Sequence, residues 1–362
     1  MNSTLKTEIK EVLDIVNKNN PGMITYGSEA PELERISTGS LELDYITGGG
    51  VPIGRWTRMY GSTMSTKSLV AIKVMANAQK LGMRCAFIDA ENQFDPHWFE
   101  KHGVNTEELL VINTSVIEEI GEVIESLLEH IDVFVIDSCS ICITNTKLED
   151  GLNARQYMGI NARKWKEQFV HLNSRMDKHR NTIIYIDHVN VSFGAGGIST
   201  MEPPGGQNMK FISSLSLEFK AGKWQFNRGG TWGDERDTTK KTLSGGSEPD
   251  GLKINVRAPK SRLGKPLQTA ILTFDLNEGE FDIFEEYFKA AKFFKIVEGT
   301  SWLKFSEELQ PKYGDKSIRP KELREMLLED ESLRDLIRAK MFNEEYELSE
   351  APEEVGDDNG DE

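Results

Sequence analysis

Residues 61–68 read "GSTMSTKS", with Gly61, Lys67 and Ser68 in the places a phosphate-binding loop, G-x-x-x-x-G-K-[ST], assigns them. Such a loop turns backbone N–H groups and a helix N-terminus toward phosphates. Its lysine reaches the β- and γ-phosphates, and its hydroxyl ligates Mg²⁺. Here Thr66 stands where the second glycine belongs. A β-branched residue held at positive φ costs about 1–2 kcal/mol, which weakens the loop but leaves its backbone donors and Lys67 in place. Asp137 ends the apolar run of "VFVIDS" and is suited to hold Mg²⁺ through water; capping a strand is its plainer role. Glu91, in "FIDAENQFDP", is placed to orient or deprotonate an attacking water; otherwise it is a solvated loop residue. Three such features in this order on successive strands point to an ATPase that uses ATP and Mg²⁺.

The elements that must position these groups follow from apolar periodicity. "RWTRMYG" reads as a strand ending at Gly61, and "KSLVAIKVMANAQKLG" as a helix stopped by a glycine. "RCAFIDAE", "LLVIN", "DVFVIDS" and "NTIIYID" are further strands, with "VIEEIGEVIESLLEHI" and a region from about 156 to 178 helical between them. The alternation predicts a parallel sheet with helices on both faces and a ligand site at the carboxyl ends of the strands. Beyond about residue 211 the pattern is β-rich, with a Gly/Thr/Lys-rich insert at about 222–250 read as a mobile hairpin or loop. From 283 to 343 it is helical again.

The net charge of −16 argues against a nucleic-acid partner until its distribution is considered. Residues 344–362, "EEYELSEAPEEVGDDNGDE", hold ten acidic residues and no basic one. By composition this is a disordered acidic tail, either a solubiliser or a competitor that covers a basic surface until DNA displaces it. No run of 18 apolar residues predicts a membrane span, and no signal peptide is read at the N-terminus. Cys85, Cys139 and Cys142 are expected as buried thiols of a reducing cytosol.

"ISTGSLELDYITGGGVPIGRWTRMYGSTMSTKS", with "AFIDAENQFDP", "IDVFVIDS", "NTIIYIDHV" and "GGQNMKF", resembles the core of the bacterial RecA recombinases over roughly residues 15–300. The run "ISTGSLELD" is the most specific part, and the bulky residue before Lys67 resembles phage-encoded members. The resemblance implies an α/β fold: a RecA-like P-loop ATPase core with a largely parallel central sheet at 31–282. It also implies an N-terminal oligomerisation helix within 1–30, docking on a neighbouring subunit, and a small C-terminal α-rich module at 283–343. The implied activity is DNA-dependent ATP hydrolysis coupled to strand exchange. The implied partners are single-stranded DNA, homologous duplex DNA, further copies of the chain in a helical filament, and a single-strand-binding protein or loader. The implied compartment is the cytoplasm of a bacterium or phage-infected host.

Residue roles carry over in the same way. Residues Gly61, Ser62, Thr63, Met64, Ser65, Thr66, Lys67 and Ser68 would cradle the phosphates, with Ser68 and Asp137 on the metal. Glu91 would be the catalytic glutamate, and Asp95 and Trp98 of "FDPHW" would contact adenine. His188, where many members have glutamine, would sense the γ-phosphate; a structural histidine is the alternative. Lys260 and Arg262 of "APKSRLGKP" would reach across an interface to a neighbour's ATP; otherwise they are surface cations. One DNA loop would lie near 151–163, with Arg155, Met158, Gly159 and Arg163. A second would span about 190–208, with Phe193 as a base wedge and Gly205, Gly206 and Lys210 near the backbone. A long glycine-rich connector without function is the alternative there. The start of that loop, "NVSFG", lacks the family's usual cations, so electrostatic affinity would fall to Arg163, Lys210, Arg228, Lys240 and Lys241. The C-terminal module adds Lys304, Lys312, Lys316, Arg319, Lys321 and Arg324, a landing site for duplex or simply a solvated face. A non-hydrolysing RecA-like DNA-binding or mediator protein is the rival reading, favoured by Thr66 and the thin loop charge.

Overall fold

The structure is a computed structural model that describes residues 3–19, 26–29, 33–149, 159–176, 180–193, 199–202, 209, 211–228, 231–233, 248–262 and 266–342. The chain forms two units, one ending at Glu34 and the other beginning at Arg35. The first contains helix α1 (Ser3–Asn19), on which Val12 and Ile15 are exposed. Among the described residues no helix is long and apolar enough to cross a membrane.

In the second unit, short strands β1 (Arg35–Ile36) and β2 (Val51–Pro52) pair antiparallel around helix α2 (Leu41–Thr47). The polar residues of "ISTGSLELD" are consumed in this knot. Asp44, fully buried, accepts hydrogen bonds from Ser37 Oγ, Thr38 N and Thr38 Oγ1 at 2.5, 2.7 and 2.8 Å. Gly50 has no alternative at its position, because a Cβ would lie 2.1 Å from the Ile36 carbonyl oxygen.

Five strands then alternate with helices: β3 (Trp56–Gly61), α3 (Lys67–Lys80), β4 (Cys85–Asp89), α4 (Pro96–Lys101), β5 (Leu109–Ile112), α5 (Ile117–Leu127), β6 (Val133–Asp137), α6 (Asn145–Glu149), α7 (Ile160–Met176) and β7 (Thr182–His188). The central strands are buried at every position, as continuous apolar runs must be when both faces of a parallel sheet are covered. Strand alternation sorts them into two cores. Phe87, Val133 and Val135 pack on α3, while Ile88, Phe134 and Ile136 pack on α5 and α7. All three cysteines are buried free thiols.

After β8 (Asn190–Phe193) and β9 (Ser199–Glu202), strand β10 (Leu215–Arg228) joins β3 in parallel. Strands β11 (Thr231–Gly233), β12 (Gly251–Ser261), β13 (Gln268–Asp275) and β14 (Glu280–Phe281) complete the sheet antiparallel. The order is β14-β13-β12-β10-β3-β7-β6-β4-β5, with β11 on β10. One expectation changes here. The sequence predicts a loop at 190–208, whereas the arms of that segment pair as a two-stranded ribbon with Phe193 opposite Ser199. The insert at 222–250 has its stem in the main sheet, where Gln225 opposes Gly251. Residues 234–247 lie outside the described residues, as does the acidic tail.

One buried ion pair crosses the middle of the sheet. Arg58 on β3 donates from Nε and Nη2 to Asp187 Oδ2 on β7, at 3.1 and 2.8 Å, with both side chains 1% exposed. The guanidinium lies 4.9 Å from the centroid of the Tyr60 ring.

The C-terminal module comprises α8 (Ile283–Phe293), a hairpin of β15 (Val297–Gly299) and β16 (Leu303–Phe305), and helices α9 (Gln310–Tyr313), α10 (Pro320–Glu329) and α11 (Glu331–Phe342). Its own apolar core, with Leu303, Phe305, Leu323 and Ile337, extends to Leu41 of α2. There Glu286 of α8, 2% exposed, accepts from Ser40 Oγ at 3.0 and 3.1 Å and from Glu42 N at 3.2 Å. Burial, reinforced by the charge of Glu42, pushes the Glu286 carboxyl up to about 8 despite these bonds. A folded-state value above the unfolded one means that the folded chain holds a proton the unfolded chain has released. Stability should therefore fall as pH rises from about 4.5 to about 8. Thermal unfolding measured across that window should show the decline, and Glu286→Gln should flatten it.

Candidate active site

The carboxyl ends of β3, β4, β6 and β7 meet at one edge of the sheet, and four candidate groups meet there with them. At the end of β3 the chain must be glycine: a Cβ on Gly61 would stand 1.9 Å from the Phe219 carbonyl oxygen of β10. The loop that follows feeds directly into α3, whose first residue is Lys67. Ser65 Oγ donates to the Ser62 carbonyl at 2.6 Å and closes the loop on itself. Lys67 Nζ is folded over it, donating to the carbonyls of Ser62 and Gly61 at 2.8 and 3.3 Å. Burial lowers its pKa, with Asp137 and Glu91 working against that shift. Thr63 and Met64 form the exposed tip.

Thr66 precedes the helix at φ 60°, ψ 18°, in the left-handed region, so the strain expected of a β-branched residue is present. Its hydroxyl donates to the neighbouring Ser65 carbonyl at 2.7 Å and does not cap the helix.

Ser68, in the first turn of α3, hydrogen-bonds Asp137 at the end of β6. Burial and then the charge of Glu91 raise the Asp137 carboxyl to about 6, while the Ser68 bond and Lys67 act the other way. A hydroxyl and a buried carboxylate in contact beside a lysine are the oxygen donors that a small hard cation shares with phosphate oxygens, so the pair fits Mg²⁺. Among the described residues no group of three or more His, Cys, Asp or Glu is arranged around a metal.

Glu91 follows β4. Its Oε1 accepts from Ser138 Oγ at 2.6 Å and from His188 Nε2, the last residue of β7, at 3.0 Å. The His188 bond is the main reason its pKa is lowered, so it stands as an anion able to accept a proton. His188 is itself fixed, its N–H donating to Ser140 Oγ at 2.7 Å, while Val189 N donates to the Gly61 carbonyl at 3.2 Å. Ser138 and Ser140 were not picked out from sequence, though "VIDSCS" places them directly after the strand-end aspartate.

A cleft of about 270 Å³ opens beside these groups, lined by Ser68, Ile72, Glu91, Asp95, Trp98 and Asp137 among others. Trp98 is 37% exposed on its wall. Asp95 also caps α4, accepting from His97 N at 3.0 Å.

Lys260 and Arg262 are not in this cleft. Both donate to the Phe211 carbonyl oxygen, at 3.1 and 2.8 Å. Burial, followed by the charges of Arg262 and Arg58, lowers Lys260 to about 8. Strand register locates them. Ser216 of β10 lies opposite both Lys260 and Arg58, and β12 runs antiparallel, so the cations leave the sheet at the end opposite Gly61. They stand two strands across and about 10 Å back along β3 from the phosphate loop, beyond side-chain reach of their own chain's site.

On the candidate DNA side, Gly159 takes φ +81° with open space around it, and Arg163 is exposed in the first turn of α7. Arg155, Met158, Gly205, Gly206, Lys210, Lys240 and Lys241 lie outside the described residues, as do the side chains of Phe193 and Arg228. In the C-terminal module, Arg324 lies over the Phe284 ring at 4.6 Å and Arg319 over Trp302 at 5.1 Å. Part of that basic cluster is thus engaged in internal packing.

Residues 7–279 match the family described as the RecA N-terminal domain. The chain is 31% identical to Protein RecA of Aquifex pyrophilus over 283 residues, covering 77% of this chain and 76% of that one. It is 30% identical to Protein RecA of Fusobacterium nucleatum, covering 76% and 69%. With Protein RecA of Thermus aquaticus the identity is 28%, over 94% of this chain and 95% of the relative.

The strain at Thr66 generates a test within the fold itself. Thr66→Gly should raise stability by about 1 kcal/mol or slightly less, since glycine relieves the left-handed strain but adds entropy to the unfolded chain. Chemical denaturation with and without ATP should show both the gain and a tighter nucleotide complex.

Proposed function

The chain belongs to the RecA family, and from that premise we propose that it is an ATP-dependent DNA recombinase. It would polymerise on single-stranded DNA, pair it with homologous duplex and exchange strands, with ATP bound and hydrolysed between adjacent copies. The observation that carries this reading is the convergence of Lys67, Ser68, Asp137, Glu91 and His188 at one edge of the sheet, with Lys260 and Arg262 at the other.

In this reading the loop N–H groups and Lys67 bind the β- and γ-phosphates, and Lys67 exchanges its contacts with the Ser62 and Gly61 carbonyls for phosphate oxygens. Ser68 and Asp137 would hold Mg²⁺, which when bound would neutralise charge on the phosphates. Glu91 takes the proton of the attacking water through a carboxylate oriented by Ser138 and His188. His188 then links that event to the ribbon of β8 and β9, which begins two residues further along the chain. Lys260 and Arg262 of one copy complete the site of the next, because they are out of reach of their own. Helix α1, with Val12 and Ile15 exposed, docks on a neighbouring copy.

The decisive measurement is ATP hydrolysis with and without single-stranded DNA. Hydrolysis should rise with DNA, and Glu91→Gln should reduce it by at least about 10²-fold while leaving ATP binding intact. The left-handed Thr66 favours a second reading, a non-hydrolysing DNA-binding scaffold. DNA binding without hydrolysis in the unmodified protein would select it.

The trans arrangement has its own test. Lys260→Ala and Lys67→Ala should each lose activity, Lys260→Ala by on the order of 10³-fold. An equal mixture of the two should recover up to about a quarter of normal activity, since that share of random interfaces joins an intact loop to intact cations. A mixture as inactive as its components would place the cations in cis or in a purely structural role.

A further inference from the structure

Beneath the far end of the cleft lies an array that none of the roles above employs. His102, one residue past α4, has a side chain with no solvent exposure, and its Nδ1 is 3.1 Å from Glu280 Oε2 on β14. The same carboxylate oxygen takes the ammonium group of Lys73, on α3. The His102 ring meets the Trp98 indole edge to face, with centroids 4.3 Å apart and planes at 73°. Lys101 Nζ lies 5.7 Å from the centroid of the indole and donates to the Glu278 carbonyl at 2.5 Å. Gly279 closes that turn at φ +66°, where a Cβ would stand 3.2 Å from the indole.

We infer that His102 and Glu280 are positioning residues for the nucleotide base, holding the Trp98 platform at a fixed distance from the phosphate-loop helix. The inference rests on the proposed nucleotide site. One carboxylate joins three elements: α3, whose first turn carries Lys67 and Ser68, α4, which carries Trp98, and β14. The base and the triphosphate belong to one molecule, so binding both requires the two subsites at the matching separation. A platform free to shift would forfeit affinity to ordering. Burial opposes the charge on Glu280, but the bonds from His102 and Lys73 prevail and hold it down to about 2, so the carboxylate that joins the array stays ionised through the neutral range.

The histidine is costly as packing. Its Nε2 is buried with no hydrogen-bond partner among the described residues, and a buried unpaired polar atom destabilises. An apolar side chain would fill the space without that cost. Only the Nδ1–H bond to Glu280 distinguishes the imidazole.

The test separates base binding from phosphate binding. In His102→Leu the KM for ATP should rise about tenfold with kcat within about twofold of normal, the pattern of lost binding that is uniform between ground and transition states. Binding of inorganic tripolyphosphate with Mg²⁺, which engages the phosphate loop alone, should be unchanged, and the melting temperature should not fall. Glu280→Val should reproduce the tenfold rise, and Glu280→Gln, which keeps an acceptor for His102, should restore most of the affinity. An unaltered KM in His102→Leu would overturn the inference, as would equal weakening of ATP and tripolyphosphate. Unmodified protein that binds tripolyphosphate but gains nothing from the nucleoside would overturn it as well. Unmodified protein that binds neither would overturn the nucleotide site itself, and the inference with it.

Discussion

A single oxygen atom, Glu91 Oε1, shares hydrogen bonds with groups from two other strands. Parallel neighbours end at the same level, and the register that sets Asp89 opposite Asp137 brings Glu91 beside Ser138. On the other side it receives His188. The site is electrostatically coupled through this anion: Glu91 raises Asp137, supports the charge of Lys67 and is itself stabilised by His188. A single residue, Val189, separates His188 at the end of β7 from Asn190 at the start of β8.

Fully buried carboxylates join distant parts of the chain elsewhere in the fold. Asp187 joins β3 to β7 through Arg58, and Glu286 joins α8 to the segment before α2. Such groups add little net stability, because desolvation offsets their attraction. Their effect is on specificity, since a buried polar group is satisfied only where its own partner lies opposite, and any other pairing would strand it.

What the sequence made legible were features local in the chain. The phosphate loop, Asp137 and Glu91 each sit at the end of an apolar run, and the alternation of runs determined the parallel sheet. Even the left-handed Thr66 was visible as a departure from a spacing rule. The partners across the fold were hidden. Nothing near Arg58 in "RWTRMYG" points 129 residues ahead to Asp187, and nothing near His102 points to Glu280. The arms of the 190–208 segment pair as strands although glycine and proline surround them, because pairing depends on the opposite arm rather than on local propensity. Asp95 shows a different limit: one carboxylate both lines the cleft and caps α4, and sequence offers no way to see the two roles together.

The register that sets Lys260 level with Arg58, rather than with Gly61, has a consequence for counting. If each catalytic centre draws its phosphate loop from one copy and its cations from the next, a row of n copies contains only n − 1 complete centres. Such a row has two chemically different ends, one with a bare loop and one with unused cations. The bare-loop end would retain its nucleotide while the interior turns over. Direction would then be built into the assembly before any other component acts on it.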